Sequence, residues 1–284
     1  MTAMPMSTAP AQAVGRPATV VLHGDEGVPV PCRVVDVGDV NAAPVVFLHG
    51  LVGLNDHWEE LVRLIQHRSR CVLFQVPLLD LTGEDCSIRG VTELTAKFLR
   101  EHVRDPAVLV GNSFGGHVAA KIAIDHPTLA SGLVLAGASG VIEKTIVADV
   151  QIRPSREWLS RKIGELFFDQ RNMNPADVDR AFVELSQRGH ARAMVRLSRT
   201  ARRNHLGKDL ANIRVPTLLV WGRQDIVTPP EACETFAAKI PDARVVWLEN
   251  CGHVPMIEGV EKFGAALTAF LDELDRRRGR AGVA

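Results

Sequence analysis

The 284-residue sequence predicts an α/β fold built on a mostly parallel sheet, and three observations carry that prediction. Short β-branched and aliphatic runs alternate with stretches of helical periodicity, the pattern of strands joined by crossover helices. Hydrophobic residues make up 46% and charged residues 23% of the chain, the balance of a globular protein long enough to bury a large core. A single stretch, 141–214, breaks the alternation: its pattern is helical throughout and contains no strand, which marks an insertion.

Eight strands are expected, over 18–23, 32–37, 45–49, 71–76, 107–111, 132–136, 217–221 and 244–248. The first two are separated by turn residues too few for a crossover helix, so they should form an antiparallel hairpin. Helical patterns fall at 56–66, 92–101, 116–125, 230–239 and 260–276. Within the insertion, Asn174-Pro175-Ala176-Asp177 reads as a helix start, with Asn as N-cap, Pro at the first helical position and an acid in the first turn. Helices inserted between two strands would cover the sheet's C-terminal edge, where open α/β sheets bind ligands. The expected organisation is a flexible tail (1–17), a core (18–140 and 209–276), a helical cap (141–208) and a basic C-terminal tail (277–284).

Composition removes several classes of function. Lys plus Arg and Asp plus Glu both total 33, so the chain lacks the basic bias of a nucleic-acid binder. No apolar run approaches the roughly 20 residues of a membrane span, and the N-terminus lacks a signal-peptide core. The five cysteines are scattered without a C-x-x-C pair, which fits neither a disulfide framework nor a zinc site and points to the reducing cytoplasm. There is no tyrosine, hence no phenol to act as acid, ligand or nucleophile. Neither a metal nor a cofactor is expected.

The most informative segment is Ala107-Val108-Leu109-Val110-Gly111-Asn112-Ser113-Phe114-Gly115-Gly116-His117. A buried strand runs into G-x-S-x-G and straight on into a helix. Such a serine occupies a strained turn that glycines two residues to either side allow, with its hydroxyl at a helix N-terminus. Ser113 is therefore the candidate nucleophile. At an earlier strand end, His49-Gly50-Leu51 supplies a second loop. Acyl transfer needs two donors where the carbonyl oxygen becomes anionic, and the backbone N–H groups of Leu51 and Phe114 are the candidates. His49 itself is expected to hold its loop by hydrogen bonding.

A serine hydroxyl needs a histidine to take its proton and a carboxylate to fix that histidine's tautomer. Asp225 follows the strand ending in Trp221-Gly222, and His253 follows the next strand. Singly, each is as well explained as a helix cap or a loop residue; in the order serine, aspartate, histidine on successive strand ends they point to a triad. The separations of 112 and 28 residues leave room for a strand plus the insertion, and for a helix plus a strand.

The segments LHG (48–50), GNSFGG (111–116), WGRQD (221–225) and NCGHVPMIE (250–258) resemble the α/β-hydrolase superfamily over about residues 17–274. That resemblance implies the α/β-hydrolase fold: an eight-stranded, mostly parallel sheet with helices on both faces and a helical lid inserted after the sixth strand. It further implies a cofactor-free serine hydrolase. GNSFGG is similar to the elbow of the meta-cleavage-product hydrolases, which break carbon–carbon bonds. Those enzymes usually carry Gly-Pro-Gly where this chain has Leu51-Val52-Gly53, and tend to have tryptophan where it has Val254. Hydrolysis of a small-molecule carboxylic ester or thioester is thus the expectation, with carbon–carbon bond hydrolysis or a low-turnover ligand sensor as alternatives. Dehalogenases and epoxide hydrolases of this architecture use an aspartate nucleophile, and the latter generally use cap tyrosines; this chain has serine and no tyrosine.

Asn112 beside the nucleophile, Val254 beside the base and Trp158 on the insertion are the expected substrate contacts. Residues 153–203 hold 11 Arg and one Lys against six acids. Arg192, Arg196, Arg199 and Arg203 recur along one helix face, read first as a solvated surface and alternatively as a recruiter of an anionic substrate. The oligomeric state is not legible.

Overall fold

Eight strands form one sheet in the order β1-β2-β4-β3-β5-β6-β7-β8 in the computed structural model, which describes residues 15–25, 27–51, 55–143 and 154–281. They are β1 (Ala18–His23), β2 (Pro29–Val37), β3 (Pro44–Leu48), β4 (Arg70–Gln75), β5 (Ala107–Asn112), β6 (Ala130–Ala136), β7 (Thr217–Gly222) and β8 (Ala243–Leu248). β1 and β2 form the expected hairpin, β2 pairs antiparallel with β4, and every later pairing is parallel.

β3, β5 and β7 are buried along their whole length, as befits parallel strands covered on both faces. Their side chains alternate between two apolar layers. Val46, Leu48 and Leu109 face one layer with α2 (Ile88–Phe98), α3 (Phe114–Asp125) and α7 (Pro230–Lys239). Val45, Phe47, Val108 and Val110 face the other with α1 (Glu59–Ile65) and α9 (Val260–Ala281). A one-turn helix, α8 (Pro255–Glu258), precedes α9.

Among the described residues between β6 and β7, three α-helices follow one another: α4 (Arg156–Gly164), α5 (Pro175–Ser186) and α6 (His190–Arg203). α5 starts as its sequence predicts, with the Asn174 side chain accepting from the Ala176 N–H at 3.0 Å and Pro175 at the first position. α6 seats Ala193, Leu197 and Ala201 in the first apolar layer, whereas Trp158, Leu159 and Ile163 of α4 join the second.

Most boundaries shift by a few residues from the sequence reading, and two of the shifts have a visible cause. β2 begins three residues early, because pairing with β1 extends to Pro29. The expected tail from 277 is helical as far as Ala281. Arg277 pairs with Asp242 and Glu273, and Arg278 donates to the Ser131 hydroxyl, so the basic residues anchor the helix end. The expected N-terminal tail up to residue 14, Val52, Gly53 and residues 144–153 lie outside the described residues. Among those described, no helix is long and apolar enough to cross a membrane.

Candidate functional site

Ser113 sits between β5 and α3 at φ 54° and ψ −119°, a conformation L-residues rarely adopt. Close packing holds it there. A Cβ on Gly111 would collide with the backbone of Gly115 and Gly116, and one on Gly115 with the Leu48 and His49 carbonyls. Both glycines of the G-x-S-x-G are therefore needed for the helix to turn back onto the strand ends. Phe114 opens α3, so its N–H has no acceptor within the helix. The loop carrying Leu51 lies alongside: a Cβ on Gly50 would stand 3.4 Å from the Ser113 Cβ. His49 Nδ1 donates to the Gly50 carbonyl at 2.8 Å, the loop-holding bond expected of it.

Asp225 is buried in the loop after β7 and is held by four donors. Its Oδ1 accepts from the N–H groups of Val227 (2.8 Å) and Thr228 (2.9 Å). Its Oδ2 accepts from the Thr228 hydroxyl (2.8 Å) and from His253 Nδ1 (2.9 Å). The proton this places on Nδ1 leaves Nε2 as the basic nitrogen, the tautomer needed to take a serine proton. Ser113 Oγ and His253 make no hydrogen bond in this structure; such contacts tighten when substrate binds.

The histidine's main chain is tied from two directions. Its N–H donates to the Leu166 carbonyl just after α4 (2.8 Å), and its carbonyl accepts from the Asn112 amide (3.0 Å). Gly137, at φ +52°, passes so close that a Cβ would stand 3.1 Å from both Asp225 Oδ2 and His253 Nδ1. A side chain there would be strained by the positive φ and would press on both groups.

Asn112, expected as a substrate contact, has its amide engaged within the protein. Both of its amide hydrogens are used, one on the Ala136 carbonyl (2.9 Å) and one on His253, and the residue is buried. It ties the elbow to the histidine loop and has no donor left for substrate. Val254 and Trp158, the other expected contacts, are buried in the second apolar layer. The structure thus brings Ser113, Leu51, Phe114, Asp225 and His253 to one edge of the sheet.

Three residues escaped the sequence reading. Thr228 bridges Asp225 and His253, its hydroxyl lying 3.2 Å from Nδ1. Glu258 accepts from the N–H groups of Gly252 (2.7 Å), Phe168 (3.1 Å) and Asp169 (2.9 Å), joining the histidine loop to the insertion. Glu143 interacts electrostatically with His253; burial raises its pKa, and His253 and Arg202 partly offset the rise. Of the three, Glu258 alone lay in a segment already quoted, as the last residue of NCGHVPMIE. Among the described residues no group of three or more His, Cys, Asp or Glu side chains is arranged to hold a metal ion.

Known proteins share this arrangement of elements. A monoacylglycerol lipase of Xenopus laevis is 26% identical over 258 residues, 82% of this chain and 77% of the relative. A 2-hydroxymuconate semialdehyde hydrolase of Pseudomonas putida is 30% identical over 177 residues, 59% of this chain and 63% of the relative. A membrane phospholipase A described as a bacterial virulence factor superposes with a TM-score of 0.78 at 22% identity, covering 92% of this chain and 87% of its own; it speaks for the fold. The sequence pattern of the Alpha/beta hydrolase family matches residues 45–266, most of the chain. With the parallel sheet, the strained serine turn and the paired aspartate and histidine in the family's chain order, the match establishes that the chain belongs to the alpha/beta hydrolase family.

Proposed function

We propose that the protein hydrolyses carboxylic esters or thioesters of small molecules through an acyl-enzyme on Ser113. The observation that carries this reading is the strained φ of Ser113 at a helix N-terminus, at the same sheet edge as a buried His253–Asp225 pair. Strain of this kind persists where the surrounding structure over-determines it, and it clusters at reactive sites.

In this mechanism Ser113 Oγ attacks the carbonyl carbon while His253 Nε2 takes the hydroxyl proton. The N–H groups of Leu51 and Phe114 hold the resulting oxyanion. Collapse of the tetrahedral intermediate breaks the bond to the leaving oxygen or sulfur, which receives the proton from His253. Water then repeats the sequence on the acyl-enzyme, with His253 again as base, and releases the acid and free Ser113. Asp225 orients His253 and stabilises its charged form. Trp158 and Val254 are proposed to border the acyl group. The five cysteines are free and buried, which supports a reducing cytoplasmic location.

A fluorophosphonate probe tests the nucleophile: it should label the wild type and leave Ser113→Ala unlabelled, and the variant should lose turnover of aryl esters. Labelling at another residue, or equal hydrolysis by Ser113→Ala, would overturn the assignment. The Pseudomonas putida relative favours a second reading, carbon–carbon bond hydrolysis with the same residues. Turnover of a vinylogous 1,5-diketone above that of every aryl ester tried would select it.

A further inference from the structure

We propose that the cavity between α6 and the turns after β4 binds a phosphate-class dianion, as the remote end of the substrate. The binding claim stands alone; the substrate role rests on the ester or thioester reading above. The cavity holds about 370 Å³ and is lined by Asp80, Thr82, Arg188, His190, Arg192 and Arg196, among others. That volume suits a small ligand.

Charge identifies the ligand. Three arginines and one aspartate line the cavity, a positive lining suited to a phosphate, while the exposed Glu84 and Glu184 lie outside that lining against Arg196 and His190. The Asp80 carboxylate is engaged by His190 Nε2 at 3.0 Å. His190 is buried, and its Nδ1 makes no hydrogen bond, lying 3.4 Å from a Glu184 carboxylate oxygen. Elsewhere in the insertion Arg156, Lys162, Arg171 and Arg180 each meet a carboxylate. Arg188 and Arg192 meet none among the described residues, and Arg196 reaches only the exposed Glu84 at 3.5 Å. Guanidinium forks without acids are matched by geometry to phosphate oxygens.

The backbone adds to the same field. α6 begins at His190 after Gly189, which is left-handed at φ 95° and contributes no side-chain cap. The His190 N–H turns back to the Gln187 carbonyl at 3.3 Å, which leaves the N–H groups of Ala191 and Arg192 without a backbone acceptor at an end of this 14-residue helix that lines the cavity, where anions are favoured. Of the arginine stripe seen in the sequence, Arg192 and Arg196 line the cavity, whereas Arg199 and Arg203 do not.

The cavity is also placed to serve the reaction. The Leu78–Asp80 turn leaves β4 at the edge where Ser113 leaves β5, and β3 alone separates those strands. Two strand spacings are roughly 10 Å. The cavity and Ser113 thus share that edge, and an elongated substrate would hold its phosphate in the cavity with its carbonyl at Ser113.

The test pairs two substrates with one acyl group: butyryl-coenzyme A, which carries phosphates, and neutral 4-nitrophenyl butyrate. Arg188→Gln with Arg192→Gln should raise KM for the thioester by at least about tenfold, with kcat little changed, since remote binding is lost. Turnover of the neutral ester should stay at the wild-type level, which also certifies folding. Salt should weaken wild-type binding of the thioester. Calorimetry with inorganic phosphate and with adenosine 3′,5′-bisphosphate reads the site without catalysis. Heat in the wild type that vanishes in the double variant supports the site; no heat, or equal heat in both, overturns it. Binding that is lost without any change in thioester KM overturns the substrate role and assigns the cavity to a free phosphate ligand. If neither substrate turns over while binding persists, the hydrolase reading fails and the site stands.

Discussion

The two halves of the candidate site are held in different ways. Ser113 and Asp225 are fixed by the core alone. The serine is trapped by Gly111 and Gly115 packing against neighbouring backbone, and the aspartate by N–H groups two and three residues along its own loop. His253 is held jointly by the core, through Asn112, and by the insertion, through Leu166 and the Glu258 bridge to Phe168 and Asp169. The positions of Ser113 and Asp225 are thus properties of the sheet edge, while that of His253 depends on how the inserted helices sit.

That contrast sets the order of expected effects on turnover. The largest follows from Asp225→Asn, which keeps the shape of the loop but reverses a hydrogen-bond preference and presents the wrong histidine tautomer. A loss of about 10⁴-fold in kcat with little change in thermal stability is expected. A loss that tracks unfolding instead would make Asp225 a loop anchor only.

Glu258→Gln probes the other half. The glutamine keeps the side chain's size but replaces one acceptor oxygen by an NH₂ facing backbone N–H groups, so the histidine loop and the insertion should part slightly. Small misplacements at a reacting centre cost up to about 10²-fold, and a fall of that order in kcat is expected. The rate of fluorophosphonate labelling per folded molecule should fall in step, because it needs the same base. Asn112→Ala removes the core-side tie, and combining it with Glu258→Gln should cost more than the sum of the two. Strict additivity would show that the ties act on different things.

The same contrast explains what was legible in the sequence. The serine turn, the Asp225 loop and the order of strands are written in contiguous residues: glycines at fixed spacing, apolar runs, a Pro229-Pro230 helix start. Glu258 and its partners in the insertion are 86 to 90 residues apart, and nothing local in either segment announces the other. The two bonds of Asn112 were not legible for a related reason. Adjacency to a nucleophile says nothing of side-chain direction, and in a strand neighbouring side chains point to opposite faces. The length of α9 was underestimated because its arginines are anchored by Asp242 and Ser131, far away in sequence.

A second link between core and insertion is expected to matter for stability and to leave turnover unaffected. His117, one turn beyond Ser113, is fully buried, and its Nε2 lies 3.3 Å from Asn204 Oδ1 just after α6. Its Nδ1 has no hydrogen-bond partner, so a second proton would bring a charge into the interior with nothing to accept it. Burial, the largest cause, pushes its pKa down to about 4 from 6.5, with the Asn204 bond opposing. Between those values the unfolded chain binds the proton and the folded chain does not, so stability rises with pH across the window. It is complete above about pH 6.5, is lost as pH falls through about 4, and amounts to at most about 3 kcal/mol from this group. The melting temperature should therefore drop on acidification from 6.5 to 4, and His117→Gln, which retains an amide donor towards Asn204, should flatten that slope. An unchanged slope in the variant would move the acid sensitivity elsewhere, leaving Leu166 and Glu258 as the ties through which the insertion acts on the core.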